Sequence, residues 1–273
     1  MEFFFDMNIS KLYNIFKEYP SISTDSRNIK KDSIFFALKG ENFNGNKFAE
    51  EALKSGCKYA VIDEKEYEIN ENYILVNNAL KTLQQLASLH RDNINIPIIA
   101  ITGTNGKTTS KELITSCLSS ELETAYTKGN YNNHIGVPLT LLEINKKHEI
   151  GIIEMGANHK NEINFLCEIA KPNYGIITNI GKAHLEGFKN FEGVKSTKKE
   201  LYDFIKKNNG VIFINNDDKT LNEISKNIKS ITYGKNGDII GEEVTSSVYT
   251  EVLFNKIKIN SNLIGSYQFY NIM

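Results

Sequence analysis

The sequence has 273 residues, with 32 Lys and Arg against 33 Asp and Glu for a formal net charge of −1, 40% hydrophobic and 10% aromatic residues, and only 4 prolines. Such a chain is long enough for one large domain or two smaller ones, and its charge balance lacks the electrostatic footprint of a dedicated nucleic-acid binder. Small-molecule chemistry is therefore the first expectation. Cys57, Cys117 and Cys167 are odd in number and far apart, which argues against a disulfide framework or structural zinc and predicts buried thiols in a reducing compartment. The N-terminal MEFFFDMNIS interrupts its three-residue apolar run with acids and has no basic segment before it, so it is not read as a secretory signal. No stretch approaches the ~20 apolar residues needed to span a bilayer, and the expected location is cytoplasmic.

From Asn8 to about Arg91 the pattern is mixed. Ser33 to Leu38 reads as an extended run, Lys47 to Ser55 as a helix, and Tyr59–Ile62 and Ile74–Val76 as strands, which together predict a small α/β unit. Leu80, Leu83, Leu86 and Leu89 recur at helical spacing and lead into the polar segment Asp92 to Ile96, closed by Pro97. A domain boundary is expected there, giving domains at 1–92 and 93–273. Beyond Pro97, apolar strands at Ile98–Thr102, Ile150–Glu154, Tyr174–Thr178 and Val211–Asn215 alternate with amphipathic helical stretches, the rhythm of a mainly parallel sheet covered on both faces. From about Ile239 short alternating segments, such as Tyr249–Phe254 and Lys256–Ile259, read as antiparallel edge strands. The predicted class is thus α/β: a small N-terminal α/β domain, then a phosphate-loop-type central sheet with antiparallel edge strands. The apolar finish at Leu263–Met273, without a polar taper, reads as a truncated end.

The sharpest local signal is the apolar strand Ile98–Thr102 running into Gly103-Thr104-Asn105-Gly106-Lys107-Thr108-Thr109. Backbone N–H groups of such a turn and the following helix N-terminus form a concave anion site suited to nucleotide phosphates. Lys107 would neutralise the terminal phosphates and the Thr108 hydroxyl would hold Mg²⁺. The first glycine is displaced from the G-x-x-x-x-G-K-[ST] spacing, since Ile101 stands five before Gly106, but the strand–loop–helix context is the one required. ATP is the expected ligand; an ordinary glycine-rich turn with a solvent-facing lysine is the alternative.

Later strands end in polar residues, where open α/β sheets place their ligand crevice. Glu154, closing Ile150–Glu154, stands where a phosphate-loop enzyme places a second magnesium ligand; a solvent-exposed strand-end glutamate is the competing reading. His184 follows the strand at Tyr174–Thr178, where a structural histidine is the commoner outcome. Lys198 sits in a helix among Lys195 and Lys199, and there a solvated basic face is the default.

Four motifs in order carry a more specific message: the 103–109 loop, Glu154-Met155-Gly156-Ala157-Asn158, Thr178-Asn179-Ile180-Gly181-Lys182-Ala183-His184-Leu185-Glu186, and Lys198-Lys199-Glu200-Leu201. Together they resemble the Mur ligases of peptidoglycan synthesis, over nearly the whole chain. Gly129-Asn130-Tyr131-Asn132-Asn133-His134-Ile135-Gly136 and the Glu-Met-Gly-Ala-Asn string resemble the branch that adds D-alanyl-D-alanine to UDP-N-acetylmuramoyl-tripeptide. Thr24-Asp25-Ser26-Arg27 and Phe35 to Phe48 are similar to the family's uridine-nucleotide-binding domain, with Asn44-Gly45-Asn46 where the family commonly has Asp-Gly-His. Gly265-Ser266-Tyr267-Gln268-Phe269-Tyr270-Asn271 looks like the family's Gly-x-x-Asn-x-x-Asn stretch, with Gln268 replacing the first asparagine.

The resemblance implies an ATP-dependent amide ligase working through an acyl phosphate. It implies ATP contacts from Gly103, Thr104, Asn105, Gly106, Lys107, Thr108, Thr109 and Asn271, the last to adenine. It assigns two Mg²⁺ ions, one to Thr108 and Glu154, the other to His184 and a Lys198 carbamylated by CO₂. Lys107, His184 and Lys198 become the expected catalytic group, and Ser26, Arg27, Asn130, Asn132 and Asn133 the expected contacts to the UDP-muramoyl-peptide. The expected partners are UDP-N-acetylmuramoyl-tripeptide and D-alanyl-D-alanine, acting on a monomer, with the family's C-terminal Rossmann-like domain absent. Two alternatives stay open: a fragment that binds ATP and the UDP-precursor without ligating, and another amide ligase of the same type.

Overall fold

The computed structural model describes residues 8–181, 188, 190–244 and 248–273. Their contacts divide the chain into two compact units, one of 1–95 with 134–145, the other of 96–133 with 146–273.

In the first unit, α1 (Ile9–Glu18) is opened by Asn8, whose side chain accepts the Ser10 amide, and buries Leu12 and Phe16. Four short strands follow: β1 (Ile22–Ser23), β2 (Ile34–Phe36), and the hairpin partners β3 (Lys39–Gly40) and β4 (Phe43–Asn44). The predicted helix at Lys47–Ser55 begins as a 3₁₀ turn, Gly45–Phe48, and continues as α2 (Ala49–Lys54). Then come β5 (Tyr59–Ile62), β6 (Tyr73–Leu75) and α3 (Ala79–Asn93). Strands β1, β2, β5 and β6 form one parallel sheet in that order. Its β2 is buried on both faces (Ile34, Phe35, Phe36), as parallel strands covered by helices must be. Leu83 and Leu86 supply the inward stripe of α3.

The second unit is built on β7 (Ile98–Thr102), α4 (Lys107–Leu118), β8 (Thr124–Tyr126), β9 (Ile150–Glu154), α6 (Glu162–Ala170) and β10 (Tyr174–Ile177); α5 (Gly136–Glu143), between β8 and β9, belongs to the first unit. The second unit continues with α7 (Phe191–Lys207), β11 (Val211–Asn215), α8 (Lys219–Ile224), β12 (Ser230–Gly234), β13 (Ile239–Val244), β14 (Tyr249–Phe254), β15 (Ile257–Ile264) and α9 (Gln268–Ile272). Its sheet runs β15-β14-β13-β12-β11-β10-β7-β9-β8. The strands are parallel from β8 to β13, and β14 runs antiparallel to both of its neighbours, β13 and β15, as the alternating C-terminal pattern predicts. One face is an isoleucine layer of Ile99, Ile101, Ile150, Ile152 and Ile176 under Ile114 and Leu118 of α4. Each such side chain contributes roughly 1.5–3 kcal/mol when fully buried. No helix among the described residues is long and apolar enough to cross a membrane.

The topology fixes where a ligand can go. The chain leaves β7 for the edge strand β8, comes back beside β7 as β9, and then crosses to the other flank as β10. This makes β7 the switch point, and the crevice outside its carboxyl end is where open α/β sheets bind ligands. Register finishes the job: Glu154 pairs with Ile101, and Ile177 with Thr102. The ends of β9, β7 and β10 therefore lie level with one another.

One thiol departs from expectation. Cys57 and Cys167 are buried, and burial raises the pKa of both. Cys117 is exposed, because it lies in the last turn of α4, off the stripe that faces the sheet.

Candidate active site

The loop between β7 and α4 owes its shape to two glycines. Gly106, at φ +79°, is the residue before the first turn of α4, and a Cβ there would strike the Asn271 amide. Gly103, at φ +150°, passes so close to Thr178 that a Cβ would overlap its hydroxyl. Both positions need a residue without a side chain.

The loop is laced to the end of β10. The Thr178 hydroxyl donates to the Asn105 carbonyl at 2.6 Å and the Asn179 amide to the same oxygen at 2.9 Å. The Asn105 N–H returns a bond to Asn179 Oδ1 at 3.0 Å, and the Gly181 N–H donates to Thr104 Oγ1 at 2.9 Å. Lys107 curls back over this loop, its Nζ donating to the carbonyls of Gly103 (2.8 Å) and Thr104 (3.2 Å). Burial lowers its pKa, opposed by the negative charge of Glu154.

Glu154 is 1% exposed, so the solvent-exposed reading of this strand end is overturned. Its carboxylate accepts from Thr108 Oγ1 at 3.0 Å and from Asn132 Nδ2 at 2.8 Å, and its amide donates to Thr127 Oγ1 at 3.0 Å. Asn132 thus joins the loop to β9 while Asn130 and Asn133 stay exposed at the surface.

The default reading of Lys198 as part of a solvated face is corrected. Val194, Thr197, Lys198, Leu201, Tyr202 and Ile205 form the buried stripe of α7, and Lys198 is 4% exposed. Its Nζ donates to Thr102 Oγ1 at 3.3 Å, at the end of β7. Burial, with the nearby charge of Lys107, pulls its pKa down to about 8, against the opposing pull of Glu200 and Glu162. The neighbouring lysines differ: Lys195 pairs with Glu223 at 3.0 Å and Lys199 with Asp203 on the outer face. His184 lies outside the described residues.

A cleft of about 890 Å³ opens beside the loop, lined by Asn105, Gly106 and Thr109 on one side and Tyr267, Tyr270 and Asn271 on another. Asn271 is held by its own bonds, accepting from Ser110 Oγ at 3.2 Å and donating to Gln268 Oε1 at 2.7 Å. Asn215, Asp217 and Asp218, at and after the end of β11, also line it, with Lys219 beside them. Sequence reasoning passed over these three. The signal available was the same one that exposed Glu154, polar residues directly after an apolar strand.

In the first unit, Arg27 forms a bidentate pair with Asp25 (2.7 and 2.9 Å), which holds the Asp25 carboxyl down to about 2. Ser26 lies in the same turn. Asn46, where the family commonly has histidine, is 1% exposed. Its amide donates to Asn44 and Asp63 at 2.9 Å and accepts the Asp63 N–H at 3.0 Å. The departure from the family pattern is therefore a residue that ties the 44–46 turn to β5.

A parallel sheet carrying a glycine loop, lysine and threonine at its switch point is the architecture of phosphate-loop mononucleotide binders. Family comparison narrows this. Residues 101–273 match the Mur ligase middle domain and residues 18–91 the Mur ligase family catalytic domain. The chain belongs to the Mur ligase family. It is 40% identical over 213 residues to the UDP-N-acetylmuramoyl-tripeptide–D-alanyl-D-alanine ligase of Haemophilus influenzae, covering 77% of this chain and 46% of that enzyme. Among solved structures it is similar to MurF from Acinetobacter baumannii, with TM-score 0.80, 32% identity, and 92% of this chain and 57% of that one covered. It is likewise similar to MurF ligase from Thermotoga maritima in complex with ADP, with TM-score 0.79, 29% identity, and 92% and 60% covered. The chain spans about half the length of the curated relatives it matches.

Proposed function

We propose that the protein is an ATP-dependent amide ligase that joins D-alanyl-D-alanine to UDP-N-acetylmuramoyl-tripeptide, in the cytoplasm, as a step in building peptidoglycan. The γ-phosphoryl group passes from ATP to the terminal carboxylate of the tripeptide, giving an acyl phosphate and ADP. The amine of D-alanyl-D-alanine then attacks the acyl carbon, and phosphate leaves as the amide forms.

The observation that carries this reading is the meeting of the phosphate loop, Glu154 and the buried Lys198 at the ends of three adjacent strands. The first step brings two anions together, so it needs positive charge and ordered donors rather than a nucleophile from the protein. Lys107 exchanges the loop carbonyls for phosphate oxygens. The loop amides and the N-terminus of α4 orient the phosphates. Asn271 and the cleft beside it take the adenosine end. Asn132 fixes the 127–133 loop against β9, Asn130 and Asn133 of that loop serve the muramoyl-peptide end, and Ser26 and Arg27 serve the UDP end.

The donor set suits Mg²⁺. Among the described residues there is no cluster of three His, Cys, Asp or Glu; Thr108 and Glu154 supply hard oxygens, and Mg²⁺ usually takes one or two carboxylates and completes its shell with water and substrate phosphates. When bound, it screens the repulsion between phosphate and carboxylate. Lys198 as an amine is no magnesium ligand, whereas its carbamate is an oxygen donor, to be joined at a second ion by His184. The environment of Lys198 favours the modification: a neutral amine adds to CO₂ with loss of one proton, and with its pKa near 8 about a quarter of the amine is neutral at pH 7.5.

The test is ligation by this chain with ¹⁸O in the tripeptide carboxylate. Amide product and transfer of ¹⁸O into released phosphate are the expected result. ATP and UDP-precursor bound without product or transfer would leave the nucleotide-binding reading instead. Product formed with a free diamino acid in place of D-alanyl-D-alanine would move the protein to another branch of the family.

A further inference from the structure

Lys111 follows Lys107 by one turn of α4, and nothing in the mechanism above uses it. It is fully buried. Its ammonium donates to the Thr127 carbonyl at 2.7 Å, pairs with Glu112 Oε1 at 2.8 Å, and lies 5.9 Å from the centroid of the Tyr126 ring. A methionine would fill similar volume without the cost of burying a charge, so the donor itself calls for an explanation. Thr127, also fully buried, continues the chain of contacts: its amide donates to the Ile152 carbonyl at 3.0 Å and its hydroxyl accepts the Glu154 amide at 3.0 Å. Glu154 then closes a ring through Thr108 back to α4, and its other oxygen holds Asn132.

We infer that Lys111 is a positioning residue, locking the root of the 127–133 loop to the phosphate-loop helix so that Glu154 stands at a set distance from Thr108. The inference rests on the ligase reading, in which Thr108 and Glu154 hold Mg²⁺. Partners that orient a metal ligand carry roughly 10- to 100-fold in metal affinity, and the effect belongs to the metal rather than to the nucleotide.

The experiment titrates Mg²⁺ against a fluorescent ADP analogue bound to the protein, beside binding of the same analogue in EDTA. Lys111→Met is expected to raise the Mg²⁺ half-saturation about tenfold while EDTA-state affinity stays within about twofold. Thr127→Val, which deletes only the hydroxyl link, is expected to shift it the same way, and the double variant to shift it no further than the larger single change. Should Lys111→Met not fold, Lys111→Gln, which keeps a polar end but falls short of the Thr127 carbonyl, is read in its place by the same titration. Unchanged Mg²⁺ dependence, equal losses with and without Mg²⁺, or multiplying effects in the double variant overturn the inference. A wild-type protein that binds no nucleotide overturns the ligase reading and the inference with it.

Discussion

Replacing Lys198 by methionine should make the protein more stable. In the folded state burial holds the Lys198 pKa at about 8, against about 10.5 in an unfolded chain. The unfolded state therefore binds the proton more tightly, and the lysine costs stability wherever it must be charged. That cost is fully present below pH 8, shrinks as pH rises between 8 and 10.5, and is gone above. Worked through linkage it is about 3 kcal/mol at pH 7 and roughly half of that at pH 9.5. The lost hydrogen bond to Thr102, long at 3.3 Å, returns about 1 kcal/mol of this. Lys198→Met should then exceed wild type by about 2 kcal/mol at pH 7, with the gap closing by pH 9.5. Urea unfolding of both proteins at the two pH values, in CO₂-free buffer, measures it. A variant less stable than wild type at pH 7, or a difference that does not change with pH, refutes the reasoning.

Three further expectations follow from other positions. Gly106→Ala forces a left-handed residue and displaces Asn271 from its bonds with Ser110 and Gln268; a loss of about 2 kcal/mol and at least tenfold weaker nucleotide binding should appear by thermal shift and titration. Asn46→Ala strands the Asp63 amide and removes the donor to the Asn44 side-chain oxygen and the Asp63 carboxylate, so a loss of about 2 kcal/mol in equilibrium unfolding is expected, and under 0.5 kcal/mol would contradict the role given to the turn. His90 is held neutral by burial, which lowers its pKa although its bond to the Ile144 carbonyl opposes this. With Nε2 donating to that carbonyl at 2.8 Å, Nδ1 accepts from Tyr13 at 3.3 Å. Stability from this group is complete above pH 6.5, the value in an unfolded chain, and falls as pH drops below it; His90→Gln should flatten that part of the stability curve, and parallel curves for the two proteins would count against it.

The phosphate loop was legible in the sequence because local chemistry writes it: two glycines, a lysine and a threonine at the end of an apolar strand. Parallel strands were legible for a similar reason, since burial on both faces leaves no room for polar residues. What could not be read was anything decided by packing between distant segments. Lys198 and Lys199 are adjacent and chemically identical, and only the phase of α7 against the sheet buries one and leaves the other half-buried beside Asp203. Asn132 was named for a substrate, and its bond to Glu154 depends on β8 pairing with β9. Lys111 is one polar position among several on α4, and only the fold brings the Thr127 carbonyl to it. The short edge strand β8, three residues long, carries too little pattern to announce itself.

The posture of Lys107 has a consequence for selectivity. Its ammonium already has two carbonyl oxygens, so a ligand must offer something better than neutral acceptors to draw it away. Adenosine cannot do so; a polyphosphate, with formal charge on oxygens at the mouth of α4, can. On the ATP-dependent function proposed for the chain, selection of an anionic ligand over a neutral one begins within the loop itself, before the base has met a single side chain.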